Sequence, residues 1–219
     1  PTPRPNAAAR GAPRAERRRI FVFSRVQYKI DERPARSANR ETPQKETNEM
    51  TAIEAIMKRR SVRKFTGEPV TKETVMQLID AAAAAPSAMN LRPVRFILMD
   101  KHDMAKLAET IDQKQPFEQG QWAIAVCADT RGYTGGTGWL EDASAALENI
   151  LIAATALGLG SLWYGVYRRA AKEPQVRAAL NLPEGAECAG IAVIGHAAEE
   201  HKGHGHADAK FVFESAWKE

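Results

Sequence analysis

A long apolar run, residues 141–157, constrains the fold of this chain more than any other part of its sequence. Alanine, leucine and isoleucine occupy nearly every side of the helix that this run predicts, and a helix that is apolar all round is buried. Gly158 and Gly160 follow, placed to end the helix in a left-handed cap before a predicted strand at 161–166. The uncharged stretch 150–166 is shorter than the ~20 residues of a membrane span, so we expect a buried helix–strand pair.

Helix and strand signals alternate through the rest of the chain after Met50. Thr71 is placed to cap a helix whose apolar residues recur at the i, i+3, i+4, i+7 spacing. The almost continuously apolar run 122–128 predicts a strand covered on both faces. The sequence therefore predicts an α+β domain, with helices at 51–60, from Thr71 to Pro86, and at 103–111, 141–157 and 174–180, and strands at 94–99, 122–128, 161–166 and 189–195.

Residues 1–49 differ in composition from residues 50–219. They hold twelve basic and six acidic residues, a net charge of +6, whereas the whole chain carries +4, so the body carries −2. With one short apolar patch the segment cannot bury enough surface to fold alone. We expect a disordered leader, an upstream translation or an extension added for expression, with an Arg-rich targeting or nucleic-acid-binding arm as the alternative. The domain is expected to begin at Met50, where Thr51 and Glu54 have the spacing of a capping box.

The body gives no sign of a nucleic-acid surface, because its charge is nearly balanced. Cys127 and Cys188 lie in separate apolar runs without metal-ligand spacing, so both are expected to be buried thiols. With no secretory signal recognised and no membrane span, we expect a cytoplasmic protein.

A basic cluster with one hydroxyl, residues 59–64, follows the first predicted helix. Arginine presents a planar fork that matches phosphate oxygens, so three arginines and a lysine within six positions indicate a phosphate site. The cluster taken alone also fits a solvated basic loop.

Two further segments accompany the basic cluster: Pro86-Ser-Ala-Met-Asn-Leu-Arg-Pro93, and 145–151 running into Leu157-Gly-Leu-Gly-Ser-Leu-Trp163. Together the three resemble the FMN-dependent nitroreductase family, in order and spacing, over about Met50 to Trp217. The resemblance implies a central mixed, mainly antiparallel sheet flanked by helices, with a long buried central helix, and a homodimer with shared sites. It also implies FMN as cofactor, NADH or NADPH as reductant, and ping-pong reduction of a small electron-poor acceptor, a nitroaromatic or a quinone.

The resemblance carries over to individual residues. It places Arg59 and Ser61 at the FMN phosphate, Arg60 along the ribityl chain or ring edge, and Arg63 at the pyrimidine edge. A segment that reaches the flavin across the subunit interface would comprise Pro86, Ser87, Ala88, Met89 and Asn90. The strand past the flavin N5 would comprise Tyr164, Gly165 and Val166, with the Gly165 backbone nearest N5, and Lys210 would stand where a further phosphate cation is common. No catalytic acid or base is named, because the flavin carries the chemistry.

Some positions depart from the family pattern or stay open. Arg92 replaces the usual glutamine and would favour an anionic substrate or pair with a carboxylate; Asp208 stands where a cation is often found. The run His201, His204, His206 is expected to be solvated rather than a metal site. The alternative functions are a flavin- or nucleotide-binding module without turnover, and a specialised flavin enzyme such as a dehalogenase.

Overall fold

The computed structural model describes residues 50–133, 136, 138–203, 205 and 208–217, which belong to one compact unit. The leader, residues 1–49, lies outside the described residues. The described part contains six α-helices and four strands, in the order α1 Ala52–Lys58, α2 Lys72–Ala83, β1 Val94–Met99, α3 Lys101–Ala108, α4 Lys114–Gln119, β2 Trp122–Asp129, α5 Gly138–Ala156, β3 Gly160–Gly165, α6 Glu173–Ala179 and β4 Ala186–Gly195. Three short 3-10 turns lie at Ala88–Asn90, Thr130–Gly132 and Ala209–Phe211.

The four strands form one sheet in the order β1-β2-β4-β3, and each neighbouring pair is antiparallel. A parallel element is present as an isolated bridge between Ser61 and Ser161, at the beginning of β3. A β-bulge between Val126 and Cys127 shifts the register of β2 against β4. The strand β3 lies at an edge of the sheet, which leaves one side of its backbone unpaired beyond that bridge among the described residues.

Local capping explains where the helices begin. Thr51 and Glu54 form the predicted capping box, and the side chain of Thr71 accepts the N–H of Thr74. Asp100 accepts two backbone N–H groups, so α3 begins two residues before the predicted position. The sequence analysis missed α4, a short helix whose Phe117 is buried. Each predicted strand is present, and the limits of β1 are those predicted.

The sheet has a hydrophobic core on each face. One core contains α3 and α4 residues such as Met104 and Phe117. The other lies between the sheet and the helices α2 and α5, whose Leu147 and Ile150 are fully buried. The buried central helix predicted from the apolar run is therefore α5, which begins three residues earlier than predicted.

The two cysteines are buried free thiols, as predicted, and they lie opposite each other in the β2–β4 pair. The hydrogen bond with Cys127, together with burial, raises the pKa of the Cys188 thiol well above its ordinary value. Within the described ranges, no helix combines the length and the apolar character needed to cross a membrane.

Two glycines let Val62 and Phe65, within and just after the basic segment (residues 59–64), lie close against the sheet, and a third glycine ends α5. Gly158 ends α5 with a φ of +73°, the left-handed cap predicted from the sequence. A Cβ on Gly160 would lie 3.0 Å from both methyl groups of Val62, and one on Gly195 would lie 2.8 Å from the ring of Phe65. Because Gly160 and Gly195 pair across β3 and β4, the absence of both side chains lets the chain cross this end of the sheet closely.

Candidate functional site

The basic segment leaves α1 at Arg59 and crosses the beginning of β3. The N–H of Val62 donates to the carbonyl of Ser161 at 2.8 Å, within the parallel bridge between Ser61 and Ser161. Further on, Phe65 pairs antiparallel with Ala197, just after β4. The segment is thus fixed to the sheet at two places, which sets the position of the side chains between them.

Alternate residues of an extended segment point to opposite sides, and the observed contacts divide the basic segment in this way. On one side, Nε of Arg59 lies 3.3 Å from Oε1 of Glu148 on α5. By this alternation Ser61 and Arg63 lie on the side of Arg59, and Nη1 of Arg63 donates to the carbonyl of Ser61 at 3.3 Å. Arg59, Ser61 and Arg63 therefore share a face, called the cationic face below.

Arg60 points to the other side of the segment. It lines a cavity of about 350 Å³ whose other charged residues are Lys58, Glu199, Glu200 and His201. Lys64 also lies on this side, where its ammonium pairs with Glu199. The structure therefore separates Arg60 from the cationic face, although the resemblance groups it with the same cofactor.

The strand β3 presents backbone groups at its outer edge. The carbonyl of Ser161 accepts from Val62, so the backbone groups of Ser161 point away from β4. Outward and inward positions alternate along an antiparallel strand, so the N–H and C=O of Trp163 and Gly165 also point to the open edge. In agreement, the N–H of Val166 donates inward to Ala189 on β4, at 3.3 Å. The backbone N–H of Gly165 is thus directed to the place where the resemblance puts the flavin ring.

The surroundings of Gly165 are open. Apart from the chain neighbours of Gly165, the nearest described atom to a Cβ built there would be Nε of Arg169, at 4.0 Å. By contrast, the side chains of Tyr164 and Val166 are buried in the core on the other face. The hydroxyl of Tyr164 donates to Asp112 at 3.1 Å, and burial together with this bond raises the pKa of Tyr164. Gly165 is therefore the member of the predicted trio that faces open space.

The predicted interface segment forms a strained turn, residues 86–92, called the flavin turn below. Three of its residues that are not glycine have positive φ: Met89 at 49°, Asn90 at 56° and Arg92 at 47°. The hydroxyl of Ser87 accepts the N–H of Arg92 at 3.0 Å, and Oδ1 of Asn90 accepts Nε of Arg92 at 2.9 Å. Arg92 thus bonds to the amide of Asn90 within its own turn. The side chain of Met89 is 86% exposed and projects from the surface.

A buried carboxylate on α5, that of Asp142, accepts a hydrogen bond from the flavin turn. Oδ1 of Asp142 accepts the N–H of Ala88 at 2.9 Å, and Oδ2 accepts a short hydrogen bond from the hydroxyl of Tyr133. Burial, together with the bond to Asp142, raises the pKa of Tyr133 to about 12. The sequence analysis did not identify Asp142, because its spacing carries no motif; its position in an otherwise apolar run was the available signal.

A second cavity, of about 560 Å³, lies beyond the end of β3. Its aromatic lining consists of Tyr133, Trp139 and Tyr167, and the rings of Trp139 and Tyr167 meet edge to face at 4.7 Å. The guanidinium of Arg168 lies 5.3 Å from the centre of the Tyr167 ring. The cavity can therefore receive a flat ring among aromatic walls.

The remaining predicted residues lie apart from these groups. The ammonium of Lys210 pairs with Asp208 at 2.9 Å on an exposed segment, and its other contact is with the ring of Phe211. His204 and His206 lie outside the described residues, so the structure describes only His201 of that run. Within the described ranges there is no group of three or more potential metal ligands.

The cationic face and the flavin turn both contact helix α5. Their contacts, Glu148 and Asp142, are six residues apart, which is ~9 Å along the helix axis and ~120° around it. The two predicted parts of the cofactor site thus lie on different sides of the same helix. Such a division is expected if each part serves a different copy of the site.

The α+β fold with its antiparallel four-stranded sheet is shared with solved flavin-dependent oxidoreductases. The family model for the nitroreductase family matches residues 56–136 and 128–196. The chain belongs to the nitroreductase family, as the sequence analysis predicted, and the predicted α+β fold is confirmed.

Three similar proteins illustrate the relationship. A protein of Archaeoglobus fulgidus, provisionally named NADH dehydrogenase/NAD(P)H nitroreductase, is 35% identical over 73% of this chain and 92% of its own. The structure of an FMN-dependent nitroreductase of Clostridium difficile is 31% identical, with a TM-score of 0.68 over 75% of this chain and 99% of that chain. The NADPH:FMN oxidoreductase of Vibrio harveyi, in complex with NAD⁺, is 26% identical, with a TM-score of 0.68 over 77% and 78%.

Proposed function

We propose that this chain is an FMN-dependent NAD(P)H oxidoreductase that reduces a small electron-poor acceptor, such as a nitroaromatic or a quinone, in a homodimer with two shared sites. The enzyme class, the cofactor and the reductant agree with the names of the relatives, which confirms the predicted class at the level of the family. The acceptor, the dimer and the residue roles are the parts that we propose.

The observation that carries the proposal is the arrangement along β3. The bridge from Ser61 to Ser161 holds the cationic face at the beginning of the strand, and the outward N–H of Gly165 lies four residues further on. Four residues of a strand extend ~13 Å. FMN has a phosphate at one end and a ring with acceptor atoms at the other, so one extended molecule matches both ends.

The residues of this chain supply binding and orientation. FMN, when bound, takes a hydride from NADH or NADPH and supplies electrons to the acceptor. Arg59 and Ser61 bind the phosphate through charge-assisted and hydroxyl hydrogen bonds. The N–H of Gly165 donates to the ring edge and fixes its orientation, while a cation at Arg63 stabilises negative charge on the pyrimidine side.

The open space beside Gly165 supports this assignment. A residue without Cβ is needed where a ring approaches the backbone closely, and among the described residues other than its chain neighbours the nearest atom to the missing Cβ is the Arg169 Nε, at 4.0 Å. The second cavity begins two residues further on, at Tyr167. Its aromatic walls support a flat acceptor or a nicotinamide ring near the exposed edge of the flavin.

Exposed apolar side chains support the homodimer. Ile53 and Ile56 on α1 are 70% and 45% exposed. Met89 on the flavin turn and Trp217 near the C-terminus are exposed as well. Such side chains are explained if a second copy covers them and receives the flavin turn.

Several expectations stay predictions. These are the roles of Arg60 and Lys210, the division into residues 1–49 and 50–219, and the cytoplasmic location.

One experiment distinguishes the proposed enzyme from the alternative, a flavin- or nucleotide-binding module without turnover. The full chain is reconstituted with FMN, its absorbance spectrum is recorded, and NADH or NADPH is added without oxygen.

We expect the bands of oxidised flavin to bleach and to return when a nitroaromatic or a quinone is added. Flavin that binds but does not bleach would indicate a binding module. A protein that takes up no flavin would contradict the proposal as a whole.

A further inference from the structure

Asp142 is a buried acidic side chain, only 6% exposed, in a helix that is otherwise apolar toward the core. A carboxylate in such a place is costly unless its oxygens accept hydrogen bonds. Both oxygens do so here: Oδ1 accepts from the backbone of Ala88 and Oδ2 from the phenol of Tyr133. The carboxylate therefore joins three elements: the flavin turn, α5 and the segment after β2.

The flavin turn needs such support. A left-handed conformation at a residue that is not glycine is costly, and such conformations persist only where surrounding contacts determine them. The turn contains three, at Met89, Asn90 and Arg92. Arg92 donates two hydrogen bonds, to Ser87 and to Asn90, and both lie within the turn. The bond from Ala88 to Asp142 connects it to the central helix, immediately before the first left-handed residue.

We infer that Asp142 is a positioning residue that holds the flavin turn in the strained shape in which it contacts FMN. That the turn reaches the site of the partner subunit is part of the proposed function. The inference rests on the proposed function, because it requires that the turn contacts FMN. Asp142 itself is buried beneath the turn and acts through Ala88.

Tyr133 has a supporting role in this arrangement. Its pKa of about 12 keeps the phenol protonated, and so able to donate to Asp142, throughout the neutral range. With the phenol on one oxygen and Ala88 on the other, the carboxylate is held in one orientation. Tyr133 also lines the second cavity, so the same carboxylate connects the wall of that cavity with the flavin turn.

Three variants separate positioning from simple loss of stability. Asp142→Ala removes the acceptor of the Ala88 N–H, and we expect FMN to bind at least tenfold more weakly. Asp142→Asn keeps an amide oxygen for Ala88 and an amide donor for the oxygen of Tyr133, so FMN affinity should stay within about threefold of wild type. Glu141→Ala, an exposed neighbour on α5, is the matched control and should leave affinity unchanged.

The thermal unfolding of the apo-proteins is also measured. A purely structural role of Asp142 would lower FMN affinity only in proportion to the fraction of protein that is no longer folded. Equal FMN affinity in Asp142→Ala and wild type would overturn the inference. If Asp142→Asn were as defective as Asp142→Ala, the hydrogen bond to Ala88 would not be what matters, and the inference would also fail.

Heterodimers test whether the turn serves the other subunit. An Asp142→Ala chain and an Arg59→Ala/Ser61→Ala chain are co-expressed with different affinity tags, and the mixed dimer is isolated. If the turn acts across the interface, one of the two sites combines an intact cationic face with an intact turn. We expect that mixed dimer to bind one FMN with wild-type affinity, whereas both homodimers bind weakly.

If the turn acts within its own subunit, every site of the mixed dimer carries a defect and no tight site appears, which would contradict the shared sites of the proposed function. The wild-type homodimer, measured in parallel, keeps the two proposals distinguishable. Failure of the wild type to bind FMN would contradict the proposed function as a whole, whereas tight wild-type binding without a tight mixed site would contradict only the sharing of the sites between subunits.

Discussion

Gly165 and Gly190 lie opposite each other in the β3–β4 pair, yet only one of them has room for a methyl group. A Cβ on Gly190 would lie 2.6 Å from Nε1 of Trp163 and 3.0 Å from the carbonyl of Tyr164. A Cβ on Gly165 would meet its nearest atom at 4.0 Å. The protein itself thus explains the glycine at 190, whereas the glycine at 165 leaves open the space in which the proposed function places the flavin.

Gly165→Ala should therefore separate folding from cofactor binding. We expect the free energy of unfolding of the apo-protein to change by less than ~0.5 kcal/mol, because the methyl group enters open space. FMN affinity should fall at least tenfold, because the methyl group occupies the place of the ring edge. Gly190→Ala is the counterpart, and its close contacts should cost ~1–3 kcal/mol of stability. Full FMN affinity in Gly165→Ala would remove this residue from the site.

The double variant Arg59→Ala/Ser61→Ala tests the cationic face. Each hydrogen bond to a charged group contributes ~1.5–3 kcal/mol, so FMN binding should weaken by several kcal/mol in an equilibrium titration. Lys64→Ala is the control, because Lys64 lies on the opposite side of the same segment and pairs with Glu199. Its loss should leave FMN affinity unchanged. Similar affinities for the double variant and the control would place the phosphate elsewhere.

Ser161→Ala tests a buried hydroxyl. The Oγ atom of Ser161 has no hydrogen-bond partner among the described residues, and the residue is only 2% exposed. Removing a buried polar group that makes no bond relieves its desolvation cost. We expect the free energy of unfolding, measured with urea, to stay constant or rise by up to ~1 kcal/mol. A loss of more than ~1 kcal/mol would reveal a hydrogen bond, for example to a buried water.

The ionisation of Asp129 should make the free energy of unfolding depend on pH. The guanidinium of Arg131, which donates two hydrogen bonds to it, lowers the pKa of Asp129 from 3.8 to about 2. Because the folded-state pKa is the lower one, the contribution is present above pH 3.8 and is lost as the pH falls through 2. Allowing for solvent screening, we expect ~1 kcal/mol. Urea unfolding between pH 2 and 5 should show a shallower decline in Asp129→Asn than in wild type.

The homodimer can be tested on α1. Ile53→Glu together with Ile56→Glu places two charges on exposed apolar positions, and a dimer that covers them should dissociate. Sedimentation equilibrium should show a monomer, and FMN affinity should fall with the loss of the dimer, because in the proposed dimer the flavin turn completes the site of the other subunit. Gln77→Glu, at an exposed position of α2, is the control. An intact, FMN-loaded dimer of the double variant would place the interface elsewhere.

Most of the fold could be predicted from local patterns. The apolar run of α5, the cap at Gly158 and the limits of β1 follow from periodicity and from glycine conformation. The helix α4 could not, because six residues with a proline and two glutamines carry no helical periodicity. Its buried Phe117 packs edge to face on Tyr164, a contact between distant parts of the chain.

The residue types of the candidate site could be predicted from the sequence, whereas the directions in which these residues point could not. The sequence indicates a cluster of cations, but the bridge from Ser61 to Ser161 decides which of them share a face, and it separates Arg60 from Arg59. Similarly, the resemblance implies three consecutive residues at 164–166 with Gly165 nearest the cofactor, and the pairing of β3 with β4 is what directs the backbone of the middle one to the open edge. Hydrogen bonds over long sequence distances, such as that from Ala88 to Asp142, leave no local pattern.

The open edge of β3 has a consequence for the life of the protein before it acquires its cofactor. Unpaired N–H and C=O groups along an edge strand are a template on which another chain can add a strand, and this is a common route to aggregation. In the proposed holoenzyme the flavin covers that edge beside Gly165. Chains synthesised when FMN is scarce should therefore accumulate as insoluble material. The supply of FMN during synthesis then determines the yield of folded protein.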